Sequence, residues 1–115
     1  MKTWTSTQAD GKFSKWIRER DGRCMHCGKT HNLQCSHYWS RKHSSTRYDP
    51  DNCFTLCSGC HYFIYENEKQ GIYRNKMIDW LGVEAYDKLE ARRYSTVKRK
   101  DAILNLMSWM ESLKE

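Results

Sequence analysis

The apolar positions of the chain follow a helical period, then a strand period, then a helical period again. From Asp10 to Arg20, Phe13, Trp16 and Ile17 share one face, Asp10 is placed to cap the start, and the opposite face is basic. This predicts an N-terminal basic helix over 10–22, broken by Asp21-Gly22. Asn32 to Trp39 suits a strand and Asn52 to Leu56 a second, shorter one. The polar stretch Arg41 to Asp51 between them makes a β-hairpin with a long loop. A helix is expected to start at Cys60-His61 and to stop at Gly71. Three more should follow: Ile72 to Leu81 closed by Gly82, Glu84 to Arg93 with Val83, Tyr86 and Leu89 in phase, and Thr96 to Leu113 capped by Ser95 or Thr96. The last carries a stripe of Ile103, Leu106, Met107, Met110 and Leu113, widened by Leu104 and Trp109. A stripe that broad serves core packing or a homodimer surface.

Length and composition narrow the setting. At 115 residues the chain is expected to form one domain (1–115) with a modest core that a metal staple would help to fold. No apolar run approaches the roughly 20 residues that cross a bilayer, and Met1-Lys2-Thr3-Trp4 lacks the apolar stretch of a signal peptide. The expectation is a cytoplasmic protein without a membrane partner. The net charge of +6 arises entirely in residues 1–49, where ten Lys/Arg face four Asp/Glu; residues 50–115 are balanced at ten each. Arg18, Arg20, Arg23, Arg41, Lys42 and Arg47 carry that excess. It suits a phosphate backbone and equally a solvated basic face.

Six cysteines and five histidines lie between Cys24 and His61. Four of the cysteines form two Cys-x-x-Cys pairs, Cys24/Cys27 and Cys57/Cys60, each able to grip a metal from a tight turn. Together they predict a structural Zn²⁺. A secreted chain with six cysteines would suggest three disulfides, but the repeated spacing favours metal. Zinc on four thiolates would leave a net charge of about +4, still favouring a polyanion. Cys35 and Cys53 are expected to be small buried residues facing away from the side of His37, and His26 and His31 to be exposed turn residues. Tyr38, Trp39 and Tyr48 could stack on bases or pack the hairpin.

Cys24-x-x-Cys27, Leu33-x-x-Ser36-His37, Asn52 and Leu56-Cys57-x-x-Cys60-His61 together resemble the zinc-containing HNH, or His-Me finger, nucleases. Within that superfamily the strings Cys35-Ser-His-Tyr-Trp-Ser-Arg41, Thr46-Arg-Tyr-Asp-Pro-Asp-Asn-Cys53 and Leu56-Cys-x-x-Cys-His61 look most like the NinG/Rap recombination proteins of lambdoid phages. Trp80-Leu-Gly82 and Tyr86-x-x-Leu89 extend the likeness. The implied fold is α+β, a zinc-stapled ββα-metal core at 23–71 with an N-terminal helix and about three C-terminal helices over 72–115.

The resemblance implies a metal-dependent DNA endonuclease encoded by a phage or prophage, acting in the bacterial cytoplasm on branched recombination intermediates. His37 would be the general base, Asn52 would brace the hairpin loop, and His61 would bind a catalytic Mg²⁺ or Mn²⁺. Arg18, Arg20, Arg41, Lys42 and Arg47 would contact DNA. Many HNH nucleases carry an Asp or His before the base, joining the third residue on the metal, whereas this chain has Ser36. A hydroxyl is a poor ligand for a hard cation. Phosphate and water could complete the shell, His43 or Asp49 could substitute, or the chain could be a non-catalytic zinc-containing DNA-binding or recombination-adaptor module.

Overall fold

The computed structural model describes residues 2–67 and 69–114. Helix α1 spans Ser6–Asp21. It begins four residues before the expected cap, because Thr5 and Gln8 form a capping box: Thr5 Oγ1 accepts from Gln8 N at 3.1 Å and Gln8 Oε1 from Thr5 N at 2.9 Å. Asp10 is therefore inside the helix, its carboxylate free for another use. Gly22 ends α1 in the left-handed conformation at φ 71°, where a Cβ would be strained.

Strands β1 (Leu33–His37) and β2 (Cys53–Cys57) form a two-stranded antiparallel sheet, with His37 directly opposite Cys53 and Leu33 opposite Cys57. The loop between them carries a short helix, α2 (Ser44–Arg47), and a 3-10 turn over Pro50–Asn52. All five residues of β2 are buried, because helices cover both faces. On one face Cys53 packs with Ala9, Phe13 and Ile17 of α1 and with Ile103 and Leu106 of the last helix. On the other, Phe54 and Leu56 join Tyr38, Tyr65, Tyr73, Met77, Tyr86 and Leu89.

The outer edge of β2 needs partners for its backbone groups, and the end of α1 supplies them. Arg20 donates to the carbonyls of Cys53 at 2.7 Å and Pro50 at 2.9 Å, while Asp21 accepts from Thr55 N at 2.8 Å. The Arg20 guanidinium also lies over the rings of Phe54 and Trp16, 4.9 and 5.6 Å from their centroids.

After β2 the chain enters α3 (Ser58–Cys60), which widens into a π-helical turn over His61–Tyr65. Glu68, inside the expected helix, lies outside the described residues. Gly71 does not stop the chain: a second π-helical stretch, Lys69–Tyr73, passes through it into α4 (Arg74–Leu81). Tyr73 is buried against Ser36, Tyr38 and Tyr65, and this packing holds the segment helical where glycine alone would end it. Gly82, at φ 87°, then turns the chain into α5 (Val83–Arg93). Helix α6 (Arg99–Ser112) starts after Lys98, not at Thr96, and no side chain caps it. Of its stripe, Ile103 and Leu106 are buried and Trp109 packs edge-on to Trp16 at 4.8 Å, so most of the stripe faces α1. Leu104 and Leu113 remain exposed. No described helix is long and apolar enough to cross a membrane.

Candidate functional site

Two sites emerge on either side of the hairpin. In the first, the sulfurs of Cys24, Cys27, Cys57 and Cys60 all lie within 4.8 Å of one another. Four thiolates around one Zn²⁺ at about 2.3 Å would be about 3.8 Å apart, and Cys27 Sγ and Cys57 Sγ are separated by 3.7 Å. Each knuckle also turns a backbone N–H toward its first sulfur: Cys27 N donates to Cys24 Sγ and Cys60 N to Cys57 Sγ, both at 3.4 Å. Burial pushes the Cys24 thiol up, but backbone N–H groups of Cys27, Cys57 and His26 outweigh it and bring it down to about 6. Cys57, at the start of α3, is lowered chiefly by the Cys60 N–H. Cys60 is raised by burial and by its three crowded neighbours. Four thiols this close cannot all ionise without a cation, and a divalent soft ion is what the donor set fits. This cluster could hold a structural zinc. His26 is exposed; its Nδ1 lies 2.9 Å from the Tyr65 hydroxyl.

The second site is an open groove of about 620 Å³ between α1 and the hairpin. His37 and His61 both line it, together with Asp10, Arg18, Gln34, Cys35, Arg41 and Glu66. His37 ends β1, and its Nε2 lies 2.8 Å from the Arg47 carbonyl. A carbonyl can only accept, so Nε2 carries the proton and Nδ1 the lone pair. Burial lowers the His37 pKa to about 4, which keeps the ring neutral at physiological pH.

Two devices hold the Arg47 carbonyl in place. Arg47 is itself buried, and its guanidinium forks onto Asp10, at 3.0 and 2.7 Å, while also donating to the Arg41 carbonyl at 3.2 Å. Burial pushes the Asp10 carboxyl up, but the bonds from Arg47 and Tyr48 prevail and hold it below the ordinary carboxylate value. The second device is Asn52, fully buried. Its Oδ1 accepts from Trp39 N at 2.8 Å, and its Nδ2 donates to the carbonyls of Trp39 and Thr46 at 2.9 and 3.0 Å. Asn52 thereby ties the beginning of the loop to its end.

His61 sits on the π-helical turn. Its Nδ1 lies 2.7 Å from Gln34 Oε1 and its Nε2 3.4 Å from Glu66 Oε2. The five-residue separation of His61 and Glu66 is that of the π-helical hydrogen bond, with Glu66 N donating to the His61 carbonyl at 2.9 Å, which sequence periodicity alone would not suggest. Glu66 and Gln34 are thus site residues that the sequence reading missed.

Ser36 faces the opposite core, buried, with its Oγ 2.6 Å from the Tyr73 hydroxyl, so it does not reach the groove. Cys35 and Cys53 do not face away from His37. A strand places residues 35 and 37 on one face, and Cys53 pairs directly across from His37. Arg47 and Arg20, expected at DNA, have their guanidinium groups occupied by Asp10 and by the β2 edge. Arg18 and Arg41 do line the groove, and Lys42 is exposed in the loop. His43 occupies the N-cap position of α2 and Asp49 is paired with Arg92; neither belongs to a metal-compatible cluster among the described residues. Tyr38 and Tyr48 are used in packing, with hydroxyl contacts of 2.9 Å to Tyr86 and 2.8 Å to Asp10, and Trp39 lies beneath Arg93.

The family model described as bacteriophage lambda NinG protein matches residues 1–113. The chain belongs to the NinG family. No curated protein and no solved structure matches it. In this NinG-family chain, the matched span includes both the four-cysteine cluster and every residue of the groove.

Proposed function

We propose that this protein is a divalent-metal-dependent DNA endonuclease of phage recombination, of the HNH type, with His37 as its general base. The observation that carries the reading is the His37 imidazole, neutral and oriented by the Arg47 carbonyl, in one groove with His61, Glu66, Arg18 and Arg41. The hairpin followed by a helix, with His37, Asn52 and His61 in that order, agrees with the HNH resemblance.

In this reading Arg18 and Arg41 draw a DNA phosphate into the groove. The phosphate's negative charge raises the pKa of His37 and makes it a stronger base. Nδ1 takes a proton from water as its oxygen attacks phosphorus; the bond to the 3′ oxygen breaks, leaving a 5′-phosphate and a 3′-hydroxyl. His61 and Glu66 would hold the cation. Two ligands at about 2.1 Å from a small octahedral ion stand about 3 Å apart, and their 3.4 Å separation suits that pairing of imidazole and carboxylate. Mg²⁺ or Mn²⁺ there would offset charge on the phosphate and departing oxygen. Asn52, Arg47 and Asp10 act as positioning residues. Branched recombination intermediates are the proposed substrate.

The test is cleavage of labelled duplex and four-way-junction DNA by zinc-loaded protein, with Mg²⁺, Mn²⁺ or neither, comparing wild type with His37→Ala. Metal-dependent cutting that falls at least a hundredfold in the folded variant is expected, in line with loss of a general base. Equal cutting by both proteins would refute the mechanism. Salt-dependent binding without cutting under either metal would make the protein a zinc-containing DNA-binding module instead.

A further inference from the structure

Beside the four-cysteine cluster, the described residues contain a second group of soft donors. Cys35 Sγ, Cys53 Sγ and an imidazole nitrogen of His37 all lie within 4.8 Å of one another. The sheet register creates this group: His37 faces Cys53 directly, and Cys35 is two residues earlier on the same face. We propose that Cys35, Cys53 and His37 form a second, thiophilic-metal site that takes one Zn²⁺-class ion.

Three features favour a metal over the other uses of two neighbouring thiols. The cysteines are diagonal neighbours, since Cys35 pairs with Thr55 and Cys53 with His37. Diagonal Cβ atoms stand somewhat under about 7–8 Å apart, whereas a disulfide needs about 3.8 Å. Sulfurs sharing a zinc ion need only be about 3.8 Å apart, a contraction of at most an ångström from the observed limit of 4.8 Å. The histidine is also prepared as a ligand: Nε2–H is donated to the Arg47 carbonyl, the outer contact that metal-bound histidines make, leaving Nδ1 to coordinate. Finally, the site is closed on one side and open on the other. Cys53 is fully buried under Ala9, Phe13 and Ile17, while Cys35 and His37 line the groove. Three protein ligands with a fourth position toward solvent is a familiar zinc arrangement.

Binding releases two thiol protons, and the dication with two thiolates and a neutral imidazole carries no net charge, so no uncompensated charge is buried. The ion would occupy the lone pair of His37. On the nuclease reading, excess zinc would therefore switch the enzyme off; the metal site itself stands independently of that reading.

The experiment uses the full chain already loaded with one zinc at the four-cysteine cluster, kept reduced, and titrated with Zn²⁺ against a chromophoric chelator. Substitution of both ions by ¹¹³Cd provides a second readout by NMR. Wild type should bind a second equivalent and show a second cadmium resonance distinct from that of the four-cysteine site. Cys35→Ser, Cys53→Ser and His37→Ala should each lose the second ion while retaining the first. Cys35→Ser changes one atom at a half-buried position, so its fold is the least disturbed and its retained first ion reports folding. A wild-type stoichiometry of one under excess zinc would overturn the proposal. So would a second ion that persists in both Cys35→Ser and Cys53→Ser. These readouts require no DNA cleavage, so failure of the nuclease reading leaves them interpretable.

Discussion

Replacing Asn52 with alanine offers a quantitative test of how the long hairpin loop is held. The side chain is fully buried and makes three hydrogen bonds, to Trp39 N, Trp39 O and Thr46 O, at 2.8 to 3.0 Å. Alanine leaves one N–H and two carbonyls without their partner. At about 1 kcal/mol for each bond, the expected loss is about 3 kcal/mol. For a chain of this size that lowers Tm on the order of 10 °C. Asn52→Asp should be at least as destabilising: it can still accept from Trp39 N, but it sets a buried carboxylate against two carbonyl oxygens. The assay is urea unfolding of both variants and wild type at saturating zinc, reading the midpoint and slope together. Because Thr46 adjoins Arg47, the same variants should loosen the His37 bond to the Arg47 carbonyl, visible as altered imidazole ¹⁵N shifts. An Asn52→Ala protein within about 1 kcal/mol of wild type, with an unchanged slope, would refute the brace.

Stripping the four-cysteine cluster of its zinc with a strong chelator should cause a large loss of thermal stability, and Cys24→Ser should destabilise likewise; a chelated protein with an unchanged melt would contradict a structural ion. Arg20→Ala should cost about 2 kcal/mol by unpairing the Cys53 and Pro50 carbonyls, whereas Arg18→Ala should cost under about 1 kcal/mol, by parallel urea melts. Arg18→Ala and Arg41→Ala should instead weaken DNA binding and flatten its salt dependence by about one unit each, measured by anisotropy titration. Asp10→Asn should destabilise by about 2 kcal/mol at pH 7, since Arg47 and Tyr48 lose an ionised acceptor. The folded pKa of Asp10 is depressed, so its contribution is present above the unfolded value near 3.9 and is lost as pH falls through the folded value. The gap between variant and wild type should therefore hold from pH 7 to pH 5 and close only below about pH 4; a gap closing at pH 6 would contradict this account.

What the sequence alone determined is local. Cys-x-x-Cys confines two sulfurs to one turn, and two such turns predict a metal cluster wherever the intervening chain folds back. The alternating run to His37, the loop residues and the helical periods over 72–93 and 96–113 likewise depend on neighbours only a few positions away, and apart from the expected stop at Gly71 these elements lie close to where they were expected. Tertiary structure decided how the charged and polar residues are used. A basic helix face looks the same in sequence whether its arginines meet solvent, a phosphate or a strand edge. Only the docking of α1 on β2 commits Arg20 to the Cys53 carbonyl, and only the return of the loop places Arg47 on Asp10, 37 positions away. Strand pairing brought Cys53 opposite His37, and the π-helical turn set Glu66 beside His61. The physical reason is common to the first three: each depends on contacts between elements, where register and packing select one partner among several that local pattern leaves equivalent. The fourth is local, but it follows from an i→i+5 helical hydrogen bond that a 3.6-residue pattern does not anticipate.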